Sequence, residues 1–306
     1  MARFLLTRTL STLFTFWLIV TVVFFLMRLA PGGPFDGERR LPPEVETNLR
    51  AAYNLDKSLP QQYIDYLGML GRGDLGPSFR QKDFSVNELV ATGLPVSLTI
   101  GGLALFIAIT LGITVGLKAG LAPGSRSDML LMGVTNVGIA MPTIIVAPLF
   151  ILIFGVALGW LPTGGLGGFT HYILPPIALA LPFTAAIARL TRGSVVETLS
   201  EPHLTTARAK GLTERMIIRR HILPIALLPV VSYLGPAAAA LLTGSVVIEQ
   251  VFELPGIGRY FVQGALNRDY TLVMGVVVVY AALILLFNLL VDLAYARMDP
   301  RIRLQP

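Results

Sequence analysis

The sequence predicts an all-α polytopic membrane protein with six transmembrane helices, and three observations predict it. The 306 residues are 54% hydrophobic and only 14% charged, with a mean hydropathy of +0.71, whereas a soluble domain carries roughly 25% charged residues. The apolar residues fall in blocks long enough to cross a hydrocarbon core of about 30 Å. Lysine and arginine collect on alternate loops between those blocks, the asymmetry that sets orientation in a bilayer. The net charge of +6 comes from short basic stretches without aromatic interleaving, so it reads as topology rather than as a nucleic-acid surface.

The first block runs from about Leu10 to Ala30, behind Arg3 and Arg8. A cleaved signal peptide has a shorter apolar stretch, and the junction here reads Leu29-Ala30-Pro31, where proline is a poor cleavage neighbour. Residues 1–30 are therefore expected to be an inner N-terminus and a retained helix. Residues 31–95 form a large outer segment carrying more acid than base. Its Pro42-Pro43-Glu44 start and the run through Tyr53, Leu55, Tyr63, Tyr66 and Leu67 predict short amphipathic helices packed on the outer face.

A five-helix core, residues 96–296, follows, with blocks at about Val96–Leu117, Met129–Leu158, Tyr172–Ala188, Ile225–Ile248 and Leu272–Val291. The Tyr172 block is the shortest and carries Pro175, Pro176 and Pro182. It is expected to bend, with its freed carbonyls satisfied by neighbouring helices. Residues 297–306 form a tail.

One side holds Arg3 and Arg8, Lys118 and Arg126, the basic residues from Arg192 to Arg220, and Arg297, Arg301 and Arg303. On the other side the stretch from Gly159 to His171 has no lysine or arginine, and Glu253 to Thr271 has only Arg259 and Arg268. The basic side is cytoplasmic by the positive-inside rule, which places both termini inside.

Several functions are disfavoured. The chain has no cysteine, so thiolate metal sites and cysteine nucleophiles are excluded, and His171, His203 and His221 show no metal-ligand spacing. The spans after the first carry no charged side chain at midplane, which disfavours an ion-coupled carrier. Glu249 and Asp292 lie near helix ends, where a carboxylate is expected to reach water. None of the four lysines, Lys57, Lys82, Lys118 and Lys210, follows a glycine, so the phosphate-cradling loop of a P-loop ATPase is missing. A membrane-embedded enzyme lacks a polar cluster within any span. The spans are instead rich in small residues and proline, such as Gly112, Gly116, Pro142 and Gly235-Pro236, which allow close helix approach and bends. Asn136, Pro142, Tyr233 and Pro236 are candidates for lining a translocation path.

The longest inner loop, residues 189–224, reads as two helices separated by a break. Ser200 is the expected N-cap, Arg208 and Lys210 complement the helix dipole, and Gly211 supplies the stop. Thr213 caps the next helix. Leu204, Ala207 and Gly211 make a small apolar face suited to a partner's groove; on pattern alone a solvated basic loop fits equally well.

Within this loop, Thr205-Thr206-Ala207-Arg208-Ala209-Lys210-Gly211 and His221-Ile222-Leu223-Pro224 resemble the EAA loop of bacterial ABC-importer permeases. Ala207, Gly211, Leu223 and Pro224 match that pattern, whereas Thr205, Thr206 and His221 depart from it, and Thr205 cannot supply the charge of the family's glutamate. The stretches Arg28 to Phe35, Gly73 to Ser78, Leu254 to Gly258, Asn267 to Tyr270 and Asp299 to Arg301 are similar to signatures of the dipeptide and oligopeptide permeases. Gly37 to Glu44 is most similar to the family's first (B-type) membrane subunits. The resemblance implies the type I ABC importer transmembrane fold in a bacterial inner membrane, with residues 31–95 in the periplasm. It implies oligopeptide import by alternating access, with a dipeptide or nickel importer as alternative. It also implies a second homologous permease, a periplasmic peptide-binding protein, and two ATP-binding subunits that hold ATP and Mg, with no cofactor in this chain. Leu204, Thr205, Thr206, Ala207, Arg208, Ala209, Lys210 and Gly211 would then couple to an ATPase.

Overall fold

The computed structural model describes residues 2–29, 56–81, 83–243 and 246–298, and every named element among them is helical. The first apolar block forms α1, Ala2–Leu29. Further along, Ser58 in extended conformation and Pro60 in the first turn start α2, Leu59–Leu70, as proline's fixed φ favours. The expected helical positions from Pro42 to Leu55 lie outside the described residues.

The next helix, α3, spans Val86–Leu121 and so begins well before the expected Val96. A reciprocal capping box sets that start: the Ser85 backbone N–H donates to Glu88 Oε2 at 2.7 Å, and the Glu88 N–H donates to Ser85 Oγ at 3.3 Å. Ser-x-x-Glu before an apolar run is the sequence form of this cap. The Met129 block is not one straight span. It divides into α4, Arg126–Ala140, and α5, Thr143–Phe150, which continues in wider turns through Ile151–Ala157; the two halves are bent by 102°. Met141, forced out of helical geometry by Pro142, makes the break.

The Tyr172 block becomes α6, Leu174–Leu199, longer than the short helix expected. Pro175 and Pro176 occupy its first turn, where a missing N–H costs no intrahelical bond, so only Pro182 lies in the interior. The loop after α6 holds α7, Pro202–Ala209, then α8, Glu214–Ile217, wide turns through Ile218–Ile222, and α9, Leu223–Ala226. The chain ends with α10, Leu228–Thr243, α11, Val246–Val251, α12, Ile257–Leu266, and α13, Tyr270–Met298. Among the described residues, five helices are long and apolar enough to cross a membrane, and the bent pair α4–α5 makes a sixth if it forms one span.

The chain divides into two compact units. One comprises the described residues within 2–96 and 255–282. Its core gathers Phe24, Tyr66, Val86, Ile257, Leu272 and Val276, with the Phe24 and Tyr66 rings stacked at 5.5 Å. Asp269, only 1% exposed, is its polar hub. The Asp269 carboxylate accepts from Ser78 Oγ at 2.5 Å and from the Phe79 and Arg80 backbone N–H groups at 3.2 Å, and it caps α13 through the Leu272 N–H at 3.1 Å. Arg80 Nε also donates to the Asn267 carbonyl at 2.8 Å. Ser78 to Arg80 and Asn267 to Asp269, far apart in sequence, are thus joined.

The other unit comprises the described residues within 97–254 and 283–298. Here Gly112, Gly116 and Gly120 form a stripe along α3 that seats α6. A Cβ on Gly112 would lie 2.7 Å from Ile187, and one on Gly120 would lie 2.8 Å from Val195, while Gly116 faces Ala188 and Thr191. Close backbone approach through small residues is how helices associate where lipid offers no hydrophobic drive. Glu249 corrects an expectation: it is fully buried and accepts from Ser97 Oγ at 2.6 Å rather than reaching water.

Candidate functional site

Local chemistry places α7 one residue later than the caps suggest. Glu201, not Ser200, is the N-cap (φ −75°, ψ 133°), and Ser200 instead closes the end of α6. Proline drives the residue before it into extended conformation and is itself suited to the first helical position, so Pro202 moves the start past Ser200. At the far end Gly211 adopts φ +78°. Its N–H donates to the Arg208 carbonyl at 2.9 Å, and the Leu212 N–H donates to the Ala207 carbonyl at 3.3 Å. These two bonds are a Schellman stop with glycine in the left-handed position. Thr213 sits at the next N-cap as expected, without a side-chain bond to the helix it starts.

The apolar side of α7 faces inward, which corrects the expectation of an apolar face in a partner's groove. Leu204 is 0% and Ala207 4% exposed, packed with Val195, Ile217, Ile222 and Ala226 and flanked by Leu117, Leu121, Leu199 and Leu212. Period and turn geometry require this: the three-residue spacing of Leu204 and Ala207 puts both on one side of the helix, and the Schellman stop folds Leu212 back over them. The outward face is Thr205, Thr206, Arg208, Ala209 and Lys210, all exposed. Arg208 Nε lies 2.9 Å from Glu214 Oε1 across the turn, and that carboxylate holds the guanidinium above its ordinary pKa. The loop also brings the His203 and His221 rings within 6.2 Å of each other, a proximity their spacing in sequence does not reveal.

A second feature was invisible in the sequence. Asp128, 2% exposed, in the first turn of α4, receives Arg192 of α6 in a forked pair, Nε to Oδ1 and Nη2 to Oδ2, each 2.6 Å. The Gly124 N–H adds a bond to Oδ2 at 2.9 Å. This pair floors a cleft of about 480 Å³ also lined by Met129, Met132, Asn136 and Arg189. The path candidates are not brought together. Asn136 lines the cleft, Pro142 is the N-cap of α5 at the bend, and Tyr233 and Pro236 lie on α10 outside the cleft. Pro236 follows Gly235, whose missing Cβ allows α10 to approach Asn288 and Val291 of α13.

Comparison with known proteins places this architecture. Residues 88–304 match the family described as the binding-protein-dependent transport system inner membrane component, and residues 1–100 match its N-terminal companion. The chain is 50% identical over 305 residues to the oligopeptide transport system permease protein OppB of Escherichia coli K12, covering 99% of this chain and 100% of that one. It is 49% identical to OppB of Haemophilus influenzae over the same shares, and 42% identical over 304 residues to the dipeptide transport system permease protein DppB of Bacillus subtilis, covering 99% of each. Among solved structures, an amino acid ABC transporter and the inward-facing MetNI methionine ABC transporter share the fold. Each superposes with a TM-score of 0.55 at 21% identity over 69% of this chain, and the match covers 94% and 96% of the respective partners. With family matches spanning nearly its whole length and relatives at half identity from end to end, this chain belongs to the inner-membrane permease components of binding-protein-dependent transport systems.

Proposed function

We infer that the chain forms half of the transmembrane pathway of an ATP-driven oligopeptide importer. The observation that carries this reading is the build of α7: a helix locked by Leu204 and Ala207 onto the ends of α3 and α6, with a polar face turned outward. Such a helix moves as one body with the spans behind it. A neighbour that grips its exposed face therefore moves those spans, which is the two-state lever alternating access requires. The neighbour is an ATP-binding subunit carrying ATP and Mg, and the exposed residues from Thr205 to Lys210 with the Gly211 stop are its docking surface. Contact there is shape more than charge, since exposed ion pairs are each worth about 0–1 kcal/mol.

The lysine and arginine pattern supports an orientation with α7 and both termini on the cytoplasmic side. A second homologous permease completes the path, and a periplasmic binding protein delivers the peptide to residues 31–95. Sequence identity is higher to the oligopeptide permeases than to the dipeptide permease, which favours peptides longer than dipeptides. The test is a cysteine at Thr206 or Ala209 in the assembled transporter. Crosslinking from these positions is expected to capture an ATP-binding subunit, with nucleotide changing the yield. Capture of none, or labelling of Thr206→Cys from the periplasm, overturns the assignment. A cysteine at Ala207 is a buried control expected to react poorly.

A further inference from the structure

We propose that the cleft between α4 and α6 is the inner mouth of the transport path, and that Arg189 receives the C-terminal carboxylate of the departing peptide. This rests on peptide import as inferred above. Position is the first argument. Asn136 and Arg189 lie inside the helical stretches Arg126–Ala140 and Phe169–Leu199, both apolar enough to belong to a membrane span. Both residues are exposed on the subunit. An amide and a guanidinium facing lipid within a span are costly, so polar groups there face a water-filled cavity or the interior of a bundle. The cleft they line is therefore wet when the transporter is open to the cytoplasm.

Charge is the second argument. Arg192 is committed to Asp128 through both arms of its fork at 2.6 Å, so that pair contributes no net charge. Arg189, one turn closer to the middle of α6, makes no hydrogen bond or ion pair with any described residue. The cleft thus presents one uncommitted guanidinium, a neighbouring amide, and two thioethers from Met129 and Met132. Flexible thioethers accept varied side chains, and a guanidinium fork matches a carboxylate with two parallel bonds. Whatever its sequence, a linear peptide at neutral pH presents one C-terminal carboxylate, and this is the group that a sequence-tolerant path can use as a handle. An exposed contact of this kind is weak, so the end is oriented without being trapped.

The experiment uses the complete transporter in proteoliposomes with its binding protein, and compares one peptide as the free acid and as the C-terminal amide. Arg189→Gln is expected to lower uptake of the acid about five-fold relative to wild type, the scale of a single exposed ion pair, and to leave amide uptake at its wild-type rate. Arg189→Lys is expected to recover most of the loss. Equal losses for both peptides, or none for either, overturn the proposal. If wild type carries the amide too slowly to measure, a photoreactive group on the peptide's C-terminal residue decides: labelling centred on Arg189 and Asn136 supports the proposal, and labelling elsewhere overturns it. A wild-type transporter that imports neither peptide refutes the underlying peptide reading instead.

Discussion

Gly211 sits at φ +78° with no atom within 4 Å of where a Cβ would stand. Substitution there is opposed by backbone conformation alone, not by a clash. The left-handed region costs an L-residue about 1–2 kcal/mol, and a β-branched side chain is among the worst occupants. Gly211→Val is therefore expected to unseat the end of α7 and abolish uptake while the subunit still inserts, and Gly211→Asn, which tolerates the region, to keep most activity. Transport and membrane insertion assays on the two variants check this, and normal uptake by Gly211→Val counts against the docking assignment. The same stop recurs twice without glycine. Glu253 (φ 53°) and Arg268 (φ 56°) occupy the equivalent position, followed by Leu254 N–H to Glu249 carbonyl and Asp269 N–H to Gly264 carbonyl bonds, both 2.8 Å. In each case the next residue is buried, Leu254 at 0% and Asp269 at 1% exposure, so surrounding packing holds a backbone that local preference resists.

Among the elements, α7 carries the most consequence, because its attachment and its outward face are separable. Leu204→Ala removes a fully buried side chain from a cluster of six buried residues and is expected to cost about 3 kcal/mol locally. The outward face remains, so ATP-binding subunits still dock. Hydrolysis is expected to continue while peptide uptake falls, measured as the ratio of the two in proteoliposomes; an unchanged ratio refutes the clamp. The existence and order of the spans were legible in the sequence, because long apolar blocks have few alternatives. The Gly211 stop and the Thr213 cap were legible for a similar reason, since both are local. What escaped notice depended on competition or on tertiary packing. Pro202 displaced the Ser200 cap, Pro142 split one apolar block into two helices, and the box from Ser85 to Glu88 lengthened α3. Which side of Leu204 and Ala207 faces home is decided by Val195, Ile217 and Ile222, residues no periodicity within α7 reports. Glu249 and the fork of Asp128 and Arg192 likewise needed partners distant in sequence, Ser97 and a helix 64 positions away.

For the molecule as a whole, the surface splits by chemistry. Large apolar residues such as Phe14, Phe106, Leu130 and Val134 are exposed, which suits a hydrocarbon solvent, whereas exposed polar residues are dense in residues 56–88 and 197–221. The hub at Asp269 adds a constraint in time. Ser78 and Asp269 are 191 positions apart, and at about 5–20 residues per second a ribosome delivers the second on the order of 10–40 s after the first. Throughout that interval Ser78, Phe79 and Arg80 lack the Asp269 carboxylate that they close on. A nascent chain that stalls before Asn267 therefore leaves an insertion-competent but unlatched product, which membrane proteases are expected to clear quickly. Pulse-chase should show such truncations, and full-length Asp269→Ala, decaying alike and faster than the intact chain; equal lifetimes would mean that the latch plays no part in quality control.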